Sequence, residues 1–296
     1  MYCDIAEGMV FRPPSEANSF ILRVTIGCAH NRCTFCGMYR DVAFRMRSYP
    51  EIKRQIDYAA QAVPQLRRVF LADGNALCLK NDLLLKIMAD LKQSFPKLSR
   101  ITCYGGPNDI LRKSPAELSA LKEAGLQIIY LGIESGDDAV LTSICKGADA
   151  AGMVEAGRRV LGAGIKLSAM VILGLGGKER SSQHAINSAA VVNAINPTML
   201  SALTLMLHEG TPLRDAADRG EFQPLSPYEF VLEIKEFVSR LDLAHPCIFR
   251  ANHASNLLPL AGTLPADKQA LLAQINYGLE VLKGKTTPTY NDRGTF

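Results

Sequence analysis

Cys28, Cys33 and Cys36 stand close together early in the chain, in the run Gly27-Cys28-Ala29-His30-Asn31-Arg32-Cys33-Thr34-Phe35-Cys36. Thiolates are soft ligands, and three of them on one loop can each hold an iron of a cubane cluster, leaving the fourth iron open for chemistry. A fourth cysteine in the loop would instead suggest a closed structural or electron-transfer site. The competing reading is zinc, with His30 as a fourth ligand. Zinc sites close with a second pair of ligands at short spacing, whereas Cys78, Cys103, Cys145 and Cys247 are isolated in the sequence. His30 lies two positions from Cys28, an awkward reach for the same metal. Cys78, Cys103 and Cys145 read as small buried hydrophobes; a second cluster on them, or Cys103 as a radical partner or methyl carrier, is the alternative.

The loop must be positioned by what flanks it. The apolar run 20–26 before it reads as a buried strand. Further strands are expected at 68–72, 100–104, 127–133, 166–173 and 199–207, from β-branched and apolar runs. Helical stretches fall between them, at 50–63, 81–95, 115–124, 137–144, 150–162 and 181–194. Ser114-Pro115-Ala116-Glu117 carries a cap, a proline at the first helical position and a capping-box glutamate. Six βα units in alternation predict a parallel sheet. Polar or glycine-rich residues recur where the strands end: Gly27-Cys28, Asp73-Gly74-Asn75, Tyr104-Gly105-Gly106, Glu134-Ser135-Gly136, 174–177 and His208-Glu209-Gly210. Barrel enzymes build their sites at that rim, whereas an open doubly wound sheet concentrates such residues at a switch point. The expected fold class is α/β, a partial (β/α)6 TIM-type barrel with a C-terminal helical extension. Residues 1–215 form the core and 216–296 an extension that is not an independent domain. That extension reads as two helical stretches around one short strand at 246–250, with a polar, frayed last dozen residues.

The chain has 296 residues, 48% of them hydrophobic, enough for one large barrel. Its formal net charge of +4 is too mild for a dedicated nucleic-acid module. Eight scattered cysteines do not make a disulfide scaffold. Residues 1–7 show no signal-peptide pattern, and no apolar run is long enough to span a bilayer. The composition reads as a cytoplasmic enzyme.

With its cluster loop and strand-end motifs in place, the sequence resembles the radical S-adenosylmethionine (radical SAM) superfamily over about residues 20–213. In motif style it is closest to the Elongator and methylthiotransferase-like subgroup. The likeness rests on the three-cysteine loop with Phe35 before its last cysteine, and on Ala72-Asp73-Gly74-Asn75, where the family often has a Gly-Gly-Glu run. It rests also on Leu131-Gly132-Ile133-Glu134-Ser135-Gly136 with Lys146-Gly147, on Ile172-Leu173-Gly174-Leu175-Gly176-Gly177, and on Glu209-Gly210-Thr211-Pro212-Leu213. The cluster loop departs from the family's usual spacing, with four residues rather than three between its first two cysteines. The extra residue lengthens the loop by up to about 3.5 Å. Where relatives often carry a carboxylate after the third strand, this chain offers Cys103, Tyr104 and the turn 105–108.

The resemblance implies that Cys28, Cys33 and Cys36 hold a [4Fe–4S] cluster whose open iron binds S-adenosylmethionine. Reductive cleavage of that cofactor gives a 5′-deoxyadenosyl radical that takes hydrogen from substrate. Phe35 would pack against cluster or adenine, and Gly74 and Asn75 would meet the methionyl ammonium. Glu134 would accept from ribose or amine, and Lys146 would pair with the methionyl carboxylate. Gly174 and Gly176 would let backbone approach the adenine. Arg45, Tyr104, His208, Glu209 and His253 are substrate candidates; ordinary solvated or packed residues are the bland alternative for each. The expected substrate is a small metabolite or cofactor precursor, with a low-potential donor such as flavodoxin or ferredoxin and no membrane. Modification of tRNA or protein is the second reading, and a non-catalytic iron–sulfur or zinc scaffold the third.

Overall fold

The computed structural model describes residues 8–283. The expected frayed C-terminal dozen and the N-terminal stretch read for a signal peptide lie outside the described residues. The chain divides into two compact units. Of the described residues, one unit takes those up to Asn31, Met38–Leu131 and Ala156–Leu167; the other takes Arg32–Gly37, Gly132–Glu155 and those from Ser168 on.

In the first unit, β1 (Phe20–Arg23) is followed by β2 (Thr25–Ile26), which pairs antiparallel with β3 (Arg45–Met46). The single strand expected over 20–26 is therefore two. Val24 breaks it, with its N–H on Ala72 O and its carbonyl accepting from Arg47 N. Next come α1 (Tyr49–Ala62), β4 (Arg68–Ala72), α2 (Asn81–Ser94), β5 (Arg100–Tyr104), α3 (Pro107–Leu111), α4 (Pro115–Glu123) and β6 (Leu126–Glu134). β1 pairs with β4, β4 with β5 and β5 with β6, all parallel. Ser48 and Ser114 each close a capping box, with Glu51 and Glu117, which sets where α1 and α4 begin. Gly125, at φ +112°, ends the α4 stretch in a conformation that favours glycine. Pro107 does not merely turn the chain, as the sequence suggests. It occupies the first turn of α3, where its missing N–H costs nothing. Ile52 and Ile56 of α1 and Leu84, Ile87 and Leu91 of α2 are buried, one stripe per helix.

The second unit holds α5 (Asp138–Ser143), the start of α6 (Ala150–Gly162), most of β7 (Lys166–Leu173), α7 (Gly177–Ile195), β8 (Met199–Thr204), α8 (Pro212–Asp218), α9 (Pro227–Arg240), β9 (Cys247–Ala251), β10 (Leu260–Leu264) and α10 (Lys268–Leu282). β7 pairs parallel with β8, and β8 with β9. β10 returns antiparallel on β9, so the sheet is mostly rather than wholly parallel, and the extension carries two strands instead of one. α9 packs on α7 and on α10. The class is α/β, as expected.

Candidate cofactor site

The cluster loop leaves the first unit's strands through a buried ion pair. Arg23 ends β1 and Asp73 follows β4, strands whose parallel register sets Arg23 opposite Ala72. Arg23 Nη2 lies 2.6 Å from Asp73 Oδ2, with both side chains essentially excluded from water. A buried charge needs a partner and further hydrogen bonds. Asp73 has them: Gly27 N donates to Oδ2 at 3.1 Å and Tyr39 OH to Oδ1 at 3.4 Å. Burial pushes the Asp73 carboxyl upward and the Arg23 guanidinium pulls against it. The Tyr39 hydroxyl is raised by burial and by the adjacent Asp73. Gly74 N donates to Gly27 O at 3.2 Å, so the loop after β4 clasps the residue before Cys28. A Cβ on Gly74 would stand 2.9 Å from Cys28 Cβ and 3.0 Å from the Tyr39 ring. The glycine lets Cys28 and the Tyr39 ring pack directly against the backbone at 74.

Asn75 is buried and turned to the next loop. Its Nδ2 donates to Asp109 Oδ2, and its Oδ1 accepts from Gly106 N at 3.1 Å. Tyr104 is half-buried, its ring edge-on to Phe70 at 5.1 Å and to Tyr130 at 6.0 Å. Arg45 lies on exposed β3 and pairs with Glu51 at 3.0 Å. Cys103 is fully buried, as a small hydrophobe would be, and burial pushes its thiol up to about 12. Cys145 departs from that expectation and is exposed.

In the second unit the segment carrying Cys33 and Cys36 is held on both sides. Thr34 N donates to Ile144 O at 2.9 Å, past the end of α5, and Thr34 O accepts from Leu213 N at 3.1 Å, in α8. Gly37 abuts the turn before α8: a Cβ there would stand 3.2 Å from His208 Cβ. Thr211 Oγ1 fixes that turn by donating to His208 O at 2.6 Å. His208 is thus brought beside the cluster loop, and both it and Glu209 are exposed. Phe35 is half-buried, and the Thr34 hydroxyl is buried without a hydrogen-bond partner.

Glu134 and Lys146 meet. Lys146 Nζ lies 2.9 Å from Glu134 Oε1, each side chain 12% exposed. Glu134 has φ +64°, which turns its side chain back over Gly132. A Cβ on Gly132 would fall 2.0 Å from Glu134 Oε1 and 3.2 Å from Lys146 Nζ, so the glycine is the seat of the pair. Gly174, at φ +87°, carries two local reasons to be glycine. They are that positive φ and a Cβ that would fall 2.3 Å from Phe230 Cε1; its N–H, which any residue but proline would supply, donates to buried Glu233 at 2.6 Å. Glu233, raised by burial, also accepts from Ser181 and faces His184 at 3.6 Å; His184 Nδ1 in turn meets Ser135 Oγ at 2.8 Å. A Cβ on Gly176 would stand 3.1 Å from His184 Cβ. His253 is exposed and bonded to Ser255 Oγ at 2.9 Å, which accepts from Thr204 N at the end of β8.

The sequence reading missed Arg23, Asp73, Tyr39, Gly132 and the Ser135–His184–Glu233 chain. The available signal was a charge inside one apolar run, Arg23, and another just past the end of the next, Asp73, with the two strands expected to be neighbours. Among the described residues no three His, Cys, Asp or Glu side chains gather as the ligands of one metal ion would. A cubane asks for something else, since each thiolate holds its own iron. None of the described cysteines forms a disulfide, and soft thiolates suit an iron–sulfur group.

The chain matches the radical SAM superfamily over residues 22–187 and belongs to it. Its members use a [4Fe–4S] cluster and S-adenosylmethionine, and the chain is accordingly an enzyme of this superfamily. More particularly, it is 22% identical over 228 residues to an uncharacterized protein of Methanocaldococcus jannaschii, covering 74% of this chain and 70% of that one. Among solved structures it is similar in fold to methylornithine synthase, with TM-score 0.53 and 17% identity, over 93% of this chain and 75% of that one. It is also similar to the Elp3 protein of Methanocaldococcus infernus, with TM-score 0.53 and 13% identity, over 89% of this chain and 63% of that one. These likenesses show the expected fold, a partial TIM-type barrel of α/β class. No helix among the described residues is long and apolar enough to cross a membrane.

Proposed function

We propose that the protein is a radical SAM enzyme acting on a small metabolite or cofactor precursor, with its cluster on Cys28, Cys33 and Cys36. The observation that carries this is the three-cysteine loop, pinned at its start by Asp73 through Gly27 and at Thr34 by backbone bonds to Ile144 and Leu213. When bound, the cluster and S-adenosylmethionine supply a 5′-deoxyadenosyl radical that abstracts hydrogen from substrate. The chain's own part is to hold and orient. The Glu134–Lys146 pair offers both signs of charge, which suits the zwitterionic tail of a methionyl group. Gly74 borders Cys28 from the β4 side, Asn75 orders the neighbouring loop through Gly106 and Asp109, and Phe35 and Gly176 shape the remaining cofactor surface, while Gly174 is fixed by Phe230 and Glu233. His208, Glu209, His253, Tyr104 and Arg45 are the substrate-facing candidates. Residues 1–215 would form the catalytic core and 216–296 its extension, with a flavodoxin or ferredoxin as electron donor and the cytoplasm as the compartment.

The test is anaerobic reconstitution with iron and sulfide, followed by dithionite and S-adenosylmethionine. The expected result is a brown protein that releases 5′-deoxyadenosine and methionine, with Cys28→Ala, Cys33→Ala and Cys36→Ala each losing both colour and product. A colourless protein carrying one zinc would overturn the reading.

A further inference from the structure

Glu134 stands in a backbone conformation that a residue other than glycine rarely holds. Its φ is +64°, and across it Ser135 N donates to Ile133 O at 2.8 Å. That is a γ-turn of the positive-φ kind, which is rare and strained. Such strain persists only where the surroundings over-determine it. Here the surroundings are one face of α7. Ser188 Oγ accepts from Gly136 N at 2.9 Å, and Asn187 Nδ2 and Arg180 Nη2 donate to Asp137 Oδ2 at 3.1 and 2.8 Å. Gly136 lies so close to the helix that a Cβ on it would fall 2.2 Å from Asn187 O. Ser135, the residue that closes the turn, belongs to His184: its Oγ accepts from Asp137 N at 3.0 Å and lies 2.8 Å from His184 Nδ1.

The partners assign the proton on the His184 ring. Nε2 faces two acceptors, Ile172 O at 3.1 Å and Glu233 Oε1 at 3.6 Å, so it donates. Nδ1 faces the hydroxyls of Ser135 at 2.8 Å and Ser188 at 3.5 Å, so it accepts. His184, Ser135, Ser188 and Glu233 are all buried. Docking a helix on a sheet asks for none of this polarity. Further along, the buried face of α7 is Ala185, Ala189, Val191, Val192 and Ile195, and its only buried polar side chains are His184 and Ser188, where it meets the turn after Glu134.

We propose that His184 is a positioning residue for cofactor binding. Through Ser135 it holds the strained turn at Glu134, and so keeps the Glu134 carboxylate against Lys146, where the amino-acid end of S-adenosylmethionine is read. Glu233 orients the ring from the far side and ties it to Gly174 N. The inference rests on the cofactor reading above and adds to it a residue that acts through a neighbour rather than on the ligand.

Equilibrium dialysis of S-adenosylmethionine against the cluster-loaded, unreduced full chain reads binding without turnover. Ser135→Ala and His184→Gln should each weaken binding about tenfold, the worth of one buried hydrogen bond, with iron and sulfide per chain unchanged. Glutamine reaches as far as Nε2 but leaves nothing at the place of Nδ1. His184→Asn keeps an oxygen on the γ carbon, where Nδ1 is attached, and should stay within about threefold of wild type, which is half that energy. Thermal melts should place the two histidine variants at similar depths below wild type, so a role in folding alone would move their affinities together. Should the histidine variants fail to fold, Ser135→Ala decides. Wild-type affinity in folded Ser135→Ala, or equal affinities in the folded asparagine and glutamine variants, would overturn this proposal and leave the cofactor reading standing. A wild-type protein that binds no S-adenosylmethionine would overturn the cofactor reading and this proposal with it.

Discussion

Replacing Arg23 by methionine tests whether the buried ion pair does more than stabilise. Methionine keeps the length of the side chain and removes the charge. Asp73 would remain fully buried, keeping only Gly27 N at 3.1 Å and Tyr39 OH at 3.4 Å as neutral donors in place of a guanidinium at 2.6 Å. Stranding one member of a buried pair costs about 3–5 kcal/mol, against a total stability of roughly 5–15 kcal/mol for a typical domain. Urea denaturation of the protein should show that loss as a fall in midpoint at constant slope. Two double variants then divide the pair's roles. Arg23→Met with Asp73→Asn removes both charges yet leaves an amide oxygen for Gly27 N. Arg23→Met with Asp73→Leu removes both charges and the acceptor. Both should recover most of the lost stability, since exchanging a buried pair for neutral groups is often neutral or better. Only the leucine variant should also lose iron and sulfide bound per chain, because the residue before Cys28 is no longer held. A cost for Arg23→Met below about 1 kcal/mol, within the range of an exposed pair, would refute the energetic argument. Full cluster loading in the leucine variant would refute the claim that Asp73 anchors the loop.

Gly174→Ala should destabilise by about 1–3 kcal/mol through contact with Phe230, with a similar cost again from its φ of +87°. Phe230→Leu in the same chain should return only the contact share. A double-mutant cycle that shows no coupling would mean that Phe230 is not what keeps residue 174 a glycine. Glu51, held at about 2 by the Ser48 hydroxyl and backbone N–H against its ordinary 4.5, supplies the pH test. A depressed carboxyl stabilises above its unfolded value and loses that contribution as pH falls through the folded one. The melting difference between wild type and Glu51→Ala should therefore reflect about 1 kcal/mol at neutral pH and close between pH 4.5 and 2. A difference independent of pH would count against the capping box as its source.

What was legible in the sequence was local. The strands Arg68–Ala72, Arg100–Tyr104 and Lys166–Leu173 and the helix Ala150–Gly162 have the expected bounds, because each is an apolar or 3.6-period run closed by breakers. The misses are long-range. Nothing between 20 and 26 says that the chain leaves β4 after Val24, because the new partner, β3, lies across the cluster loop. β10 reads Leu-Ala-Gly-Thr-Leu, a weak strand former that exists because β9 offers it an edge. The cluster cysteines were visible as ligands because their spacing is itself the chemistry. The residues that hold the loop were not, since Arg23 and Asp73 are fifty positions apart and acquire meaning only when β1 meets β4.

Glycines carry the same lesson further. A strand-end glycine leaves space, and sequence does not say for what. At Gly74 Cys28 itself and the Tyr39 ring take the space, so an added methyl would press on the first cysteine of the loop. At Gly132 the chain's own Glu134 carboxylate takes the space, and at Gly174 the ring of Phe230 takes it. The three therefore respond differently to an added methyl. At Gly132 an alanine would meet an oxygen at 2.0 Å, so the carboxylate must leave its contact with Lys146. Two part-buried charges then separate, and whatever the pair recognises is lost before the fold is. At Gly174 the obstacle is a ring in the packed core between β7 and α9, so the fold suffers first. The order in which stability and cofactor binding fail, position by position, therefore separates glycines that serve the ligand from glycines that serve the core.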